Sequence, residues 1–65
     1  MTNEVINKMI NEVNNWINLL KIEYEKYGRS EWYTITYNRV LGMITMLTIA
    51  TGKEYYFDNN GLHER

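Results

Sequence analysis

The chain contains no cysteine, no proline and only one histidine among its 65 residues. Without cysteine it can form neither a disulfide nor a thiolate metal site, and His63 alone supplies no pair of imidazoles for zinc or iron. A domain near 60 residues buries only about 60% of its unfolded surface, so such domains commonly depend on oligomerisation or on well-packed helices. We therefore expect a single domain over residues 1–65, without metal or cofactor, that associates with itself.

Charge is scarce in one long segment. Between Glu31 and Lys53 the only charged residue is Arg39. The apolar stretch from Val40 to Ala50 is 11 residues long, whereas a helix needs about 20 to span a bilayer. A helix that is uncharged nearly all round has to be covered by the rest of its chain or by another chain. The segment thus predicts a self-associating or partner-binding protein.

The overall charge balance excludes several classes of function. Seven Lys and Arg residues stand against eight Asp and Glu, giving a net charge of −1 with no basic run, which argues against a nucleic-acid binder. The N-terminus lacks the basic start and apolar stretch of a signal peptide. No nucleophile stands beside a base in a known motif, and no glycine-rich phosphate loop is present. We expect a non-enzymatic, cytoplasmic protein that does not bind membranes or nucleic acid.

The spacing of apolar residues predicts two helices. In the first half these residues recur at alternating spacings of four and three, which is an unbroken a/d pattern over residues 3–27. Met9 and Trp16 widen this stripe on one side. Ser30 and Gly52 are suitable caps for a second helix over residues 31–51, and the short connection makes the two helices antiparallel neighbours. The first stripe comprises Ile6, Ile10, Val13, Ile17, Leu20, Tyr24 and Tyr27.

The second helix carries more apolar surface than the first can cover. One stripe, which should face the first helix, consists of Tyr33, Tyr37, Val40, Ile44 and Leu47. The surplus consists of Leu41, Met43, Met46 and Ile49. The run YTITY has the composition of a strand, so residues 32–37 are where a strand competes with the helix. The four-three spacing and the two caps favour the helix.

The C-terminal residues have a different character. Lys53–Phe57 favours an extended run, Asp58–Gly61 is a turn signal, and Leu62–Glu64 can return as a short strand. The fold class is therefore all-α: an antiparallel helical hairpin, about 3–27 and 31–51, with a short extended or β-hairpin C-terminal tail. We expect it to assemble as a homodimer or a larger bundle.

Arg39 is the centre of the candidate binding residues. Trp32 precedes it by seven residues and therefore shares its helix face. A lone arginine near Trp and Tyr is typical of a protein interface, and equally of a pocket for phosphate or carboxylate. Alternatively its stem lies on Trp32 and its head meets a glutamate: Glu12, Glu23 or Glu54. The candidate residues for partner or ligand binding are Trp32, Tyr37, Arg39, Met43, Met46, Tyr55 and Tyr56.

Three further features allow two interpretations each. The stripe Asn7, Asn11, Asn14 and Asn18 is either a solvated flank or a row of amides at an interface. Gly42 costs about 1 kcal/mol relative to alanine within a helix, for which close approach of another helix is one reason and chance the other. Because Tyr55, Tyr56 and Phe57 are consecutive, they cannot all face one core, so Tyr56, or else the pair around it, should point elsewhere. This run either packs over the helix pair or forms a contact surface for a partner.

The stretch YNRVLGMITMLTIATGKEYYFDNNG resembles the C-terminal half of small uncharacterised proteins of phages and prophages of low-GC Gram-positive bacteria. The resemblance implies a host-takeover or counter-defence factor, and we expect a stoichiometric inhibitor of a host defence protein. It also allows an oligomer that sequesters a nucleotide immune signal, with Arg39, Trp32 and tyrosines between subunits. A small structural or regulatory phage protein is the third hypothesis.

Overall fold

A computed structural model describes residues 2–65 as two long helices followed by a two-stranded antiparallel hairpin. The helices are α1 (Asn3–Tyr27) and α2 (Glu31–Thr51), and the strands are β1 (Tyr55–Asp58) and β2 (Gly61–Glu64). The bounds of both helices and the hairpin form of the tail confirm the predictions from the sequence.

Side-chain caps explain where the helices begin. The Thr2 hydroxyl accepts a hydrogen bond from the Val5 N–H at 3.3 Å, and the Ser30 hydroxyl accepts one from the Tyr33 N–H at 3.2 Å. Each cap satisfies one of the backbone donors that a helix leaves unpaired in its first turn. Residues 32–37 are helical, so the cap and the apolar spacing outweigh the strand-like composition of YTITY.

The core lies between the middle turns of the two helices. It consists of Val13, Ile17 and Leu20 from α1 with Val40, Ile44 and Leu47 from α2. At the C-terminal end of the α1 stripe, Tyr24 and Tyr27 are 50% and 68% exposed. The Tyr24 ring contacts that of Tyr33 in the first turn of α2, with 5.4 Å between ring centres.

One core position is polar and was not expected from the sequence. Thr36 is buried, and its hydroxyl donates a hydrogen bond to Glu23 Oε1 at 2.9 Å. A buried hydroxyl is costly unless it is hydrogen-bonded, and the Glu23 carboxylate meets that requirement. Glu23 is thereby committed to α2 and is not the partner of Arg39 that the sequence allowed.

The hairpin packs on one flank of the helix pair. Tyr55, Phe57 and Leu62 pack against the core, while Tyr56 lies on the opposite face of the hairpin, its ring 5.1 Å from that of His63. This confirms that the three consecutive aromatic residues are divided between two directions. The backbone N–H of Leu62 donates to Asn14 Oδ1 at 2.9 Å, which fastens β2 to α1.

The Asn stripe therefore has two kinds of member. Asn14 is half-buried and holds the hairpin, whereas Asn7, Asn11 and Asn18 are exposed. The interpretation as a solvated flank fits those three positions and is wrong for Asn14. The reason is geometric, since Asn14 alone faces the strand whose outward N–H needs an acceptor.

The turn of the hairpin predicts a pH dependence. The hydrogen bond from the His63 ring and the backbone N–H of Asn60 hold the pKa of Asp58 below its ordinary value of 3.8. A carboxyl with a depressed pKa stabilises the fold above its unfolded pKa and loses that contribution as the pH falls through the folded value. We expect the protection of the hairpin amides against solvent exchange, relative to the intrinsic rate at each pH and measured by NMR, to decrease below pH 3.8. In Asp58→Asn, which keeps an acceptor for Asn60 but cannot ionise, the change in amide protection below pH 3.8 should be smaller. An equal change in the wild type and in Asp58→Asn would contradict the role of the Asp58 carboxylate.

Candidate functional site

The grooves of residues 2–65 that could hold a ligand are open to solvent. Within residues 2–65, no group of three His, Cys, Asp or Glu side chains could hold a metal ion. Every buried side-chain nitrogen or oxygen in the same range has a hydrogen-bond partner. Neither α1 nor α2 is long and apolar enough to cross a membrane. A binding site within residues 2–65 would therefore lie on the open surface.

A shallow apolar groove of about 690 Å³ lies between α1 and α2, on the flank that the hairpin leaves uncovered. We call it the methionine groove, because three of its side chains are methionines. Methionine is flexible and polarisable, and it is over-represented on surfaces that adapt to a partner. The groove is lined by Met9, Glu12, Val13, Arg39, Gly42, Met43, Thr45 and Met46.

The polar end of the methionine groove is built by both helices. The Arg39 guanidinium carbon lies over the Trp16 ring, 4.8 Å from its centre. The Trp16 indole N–H donates to Glu12 Oε1 at 3.1 Å, which fixes the orientation of the ring. A guanidinium over an indole face is held by cation–π attraction of about 0.5–1 kcal/mol at an exposed site.

Arg39 stacks on a different tryptophan from the one suggested by the sequence. Trp32 is 69% exposed, and the ring beneath the guanidinium is that of Trp16 on the other helix. Spacing along one helix places Trp32 and Arg39 on the same face, but it does not show that a ring of the neighbouring helix lies closer to Arg39 than Trp32 does. The three ion pairs formed within residues 2–65 do not involve Arg39, so its charge is available to a partner.

A second apolar surface lies on the side of α2 that faces away from the core, and we call it the outer face. Ile35, Gly42 and Ile49 follow one another at seven-residue intervals along its centre, with Asn38 and Thr45 beside them. Ile35 is 45% and Ile49 72% exposed. The surface has no charged residue at its centre. No other element of residues 2–65 covers Ile35 or Ile49.

The apolar surplus predicted on α2 is exposed to different degrees. Leu41, Met46 and Ile49 are exposed at 41%, 59% and 72%, as a helix with two apolar faces requires. Met43 is half-buried, because it packs against the core beside Trp16.

The candidate residues from the sequence do not form one cluster. Arg39, Met43 and Met46 meet in the methionine groove, whereas Tyr37 contacts Phe57 of the hairpin at 5.6 Å between ring centres. Tyr55 packs inward, and Tyr56 lies on the far side of the hairpin near Arg65.

The sequence candidates omit the half of the groove that α1 supplies, namely Met9, Glu12 and Val13, and they omit Trp16, whose ring lies beneath Arg39. The available signal was the seven-residue spacing of Met9 and Trp16, which places both on one side of the α1 stripe. That spacing predicts a wider apolar face, but it does not indicate that α2 leaves part of the face open.

The chain has no significant match among protein families, curated proteins or solved structures. The interpretation of the groove and of the outer face therefore depends on geometry and chemistry alone. Both surfaces are apolar and open, and both lack the paired acid and base that catalysis needs. Their arrangement is suited to binding.

Proposed function

We propose that this chain is a non-enzymatic binding protein whose methionine groove holds a segment of another protein. The observation that carries the proposal is the combination of an almost wholly apolar groove with one cation, Arg39, which is stacked on Trp16 and takes part in no ion pair within residues 2–65. Tryptophan and arginine are the residue types that most often dominate binding energy at protein interfaces.

The chemistry of the groove defines the partner segment. Met9, Met43 and Met46 offer adaptable apolar contacts, so the segment should insert apolar side chains between the helices. Arg39 at the end of the groove can form two parallel hydrogen bonds with a carboxylate. A segment with apolar anchors and an acidic residue at one end therefore fits the groove.

The biological role that we propose is stoichiometric inhibition of a host defence protein by a phage-type factor. The resemblance of residues 37–61 supports this role, and the groove supplies a surface suited to it. Glu12 lines the same groove as Arg39, and its carboxylate repels a phosphate, with a charge of about −1.5 to −2, more strongly than it repels a single carboxylate of a protein segment. Sequestration of a nucleotide signal and a structural phage role stay predictions from the sequence.

The proposal is tested by affinity capture from a host lysate with tagged wild-type protein. We expect one host protein to be retained in equimolar amount. Arg39→Gln, which removes the charge and the guanidinium but keeps a polar side chain, should reduce retention by on the order of 10-fold. Met9→Glu, which places a charge in the groove, should abolish retention.

The matched control is Lys21→Gln, which removes one exposed positive charge from α1 outside the groove. It should retain the partner as the wild type does. Recovery of the bait alone, or equal retention by the wild type and Arg39→Gln, would contradict the proposal. Release of an intact nucleotide on heating, lost in Arg39→Ala, would favour sequestration instead.

A further inference from the structure

We infer that a second copy of this chain covers the outer face, with the two α2 helices antiparallel and crossing at Gly42. The outer face shares Gly42 and Thr45 with the methionine groove, whereas Ile35 and Ile49 lie outside the groove. A substitution at Ile49 can therefore abolish self-association without altering the groove that we propose for target binding.

The surface area supports a second copy. The structure exposes 4863 Å², whereas a compact monomer of 7.9 kDa exposes about 4,400 Å². The radius of gyration of this chain is 12.1 Å, whereas a compact chain of the same length has about 10.7 Å. Covering the excess on each of two copies removes about 900 Å², which is the size of a weak, reversible interface.

Gly42 identifies the point of closest approach. It lies at the middle of α2, and a Cβ built there would meet no atom within 4 Å. Packing within the chain therefore does not require a glycine, although glycine is unfavourable inside a helix. A second backbone that packs directly on Gly42 would require it, since a methyl group would hold the two helices apart.

Charge determines the direction of the second copy. Glu31 begins α2 and Lys53 follows its end. An antiparallel crossing at Gly42 brings Glu31, at the start of α2, to the end of the partner's α2, close to the partner's Lys53. Lys53 also pairs with Glu64 of its own chain at 3.6 Å, and both side chains are exposed. A parallel crossing would place Glu31 beside the partner's Glu31, and like charges repel. The antiparallel arrangement also opposes the two helix dipoles.

The antiparallel crossing predicts specific pairs of residues. Ile35 meets the partner's Ile49, since each is seven residues from Gly42. Asn38 lies beside the partner's Thr45, so an amide can bond to a hydroxyl next to the apolar centre. The two most exposed apolar residues on the centre line are thereby covered without burying a charge.

Cysteine cross-linking tests the direction, because the natural chain has no cysteine. Chains carrying Asn38→Cys are mixed with differently tagged chains carrying Thr45→Cys and are oxidised mildly. We expect the mixed disulfide to exceed both homodimers by on the order of 10-fold, because only an antiparallel pair brings positions 38 and 45 within disulfide reach. Predominant 38–38 homodimer would overturn the antiparallel arrangement. Yields no higher than those of Asn11→Cys on α1 would overturn the dimer.

Two substitutions test the contact itself. Ile49→Glu should weaken dimerisation on the order of 100-fold, because it buries an unpaired charge. Ile22→Glu is the matched control, since Ile22 is an exposed isoleucine of α1 outside this face, and it should dimerise normally. Gly42→Ala should weaken dimerisation on the order of 10-fold while raising the melting temperature of the dilute monomer. Unchanged dimerisation in both Ile49→Glu and Gly42→Ala would overturn the inference.

The same variants separate this inference from the proposed function. If Ile49→Glu is monomeric and still captures the host protein, self-association is supported and the target uses the groove. If the wild type is monomeric and captures the host protein, the dimer is excluded and the proposed function stands. If the wild type dimerises through Gly42 and captures nothing, the proposed function fails alone.

Discussion

Leu47→Ala is expected to lower the free energy of unfolding by about 2–5 kcal/mol. Leu47 is 0% exposed and belongs to the core between α1 and α2. Truncation removes its apolar contacts and leaves a cavity that two packed helices close only in part. A domain of this length has a total stability of about 3–10 kcal/mol, so much of the population should be unfolded. Urea denaturation followed by circular dichroism measures the loss.

The matched control for Leu47→Ala is Ile49→Ala, two residues later in the same helix. Ile49 is 72% exposed, so its truncation in the dilute monomer should change the free energy of unfolding by less than about 0.5 kcal/mol. Both substitutions truncate a large aliphatic side chain of α2 to alanine, and they differ in whether that side chain is buried or exposed. Equal losses of unfolding free energy in the two variants would contradict the burial of Leu47 and the exposure of Ile49 in α2.

Gly61→Ala is expected to detach the hairpin from α1. Gly61 has a φ of +119°, and a Cβ there would lie 2.8 Å from Asn14 Oδ1. The backbone conformation is strained for alanine, and the new methyl group collides with the acceptor that holds Leu62. We expect a loss of about 1–3 kcal/mol in hairpin docking, seen as faster hydrogen exchange of β1 and β2 while the helices keep their protection.

Asn14→Ala separates the collision from the backbone strain at Gly61. Alone, it should cost about 1–3 kcal/mol, because it leaves the Leu62 N–H without its acceptor. In the double variant with Gly61→Ala the collision is absent, so the combined loss should be smaller than the sum of the two single losses. Additive losses would show that Asn14 and Gly61 do not act on the same contact.

The sequence predicts the local structure well because the relevant interactions are local. Ser30 caps α2 within one turn, and the four-three apolar spacing extends along each helix on its own. The turn from Asp58 to Gly61 likewise depends on neighbouring residues, with Asp58 accepting the N–H of Asn60 at 2.8 Å. Each of these features can be inferred without knowing how the elements pack.

The contacts between elements could not be predicted in the same way. The burial of Thr36 depends on Glu23 lying opposite it, and the stacking of Arg39 depends on Trp16 lying closer than Trp32. Both contacts depend on how α1 and α2 are rotated about their own axes when they pack. The spacing of residues within one helix does not determine that rotation. The role of Asn14 similarly requires the position of β2, 48 residues later in the chain.

Sedimentation equilibrium across a dilution series measures directly whether the outer face of α2 binds a second copy of this chain. We expect the wild type to approach twice its monomer mass of 7.9 kDa as concentration rises. Ile49→Glu should stay at the monomer mass with an unchanged helical spectrum. A wild-type protein that keeps the monomer mass at every concentration, with its helices intact, would contradict self-association through α2.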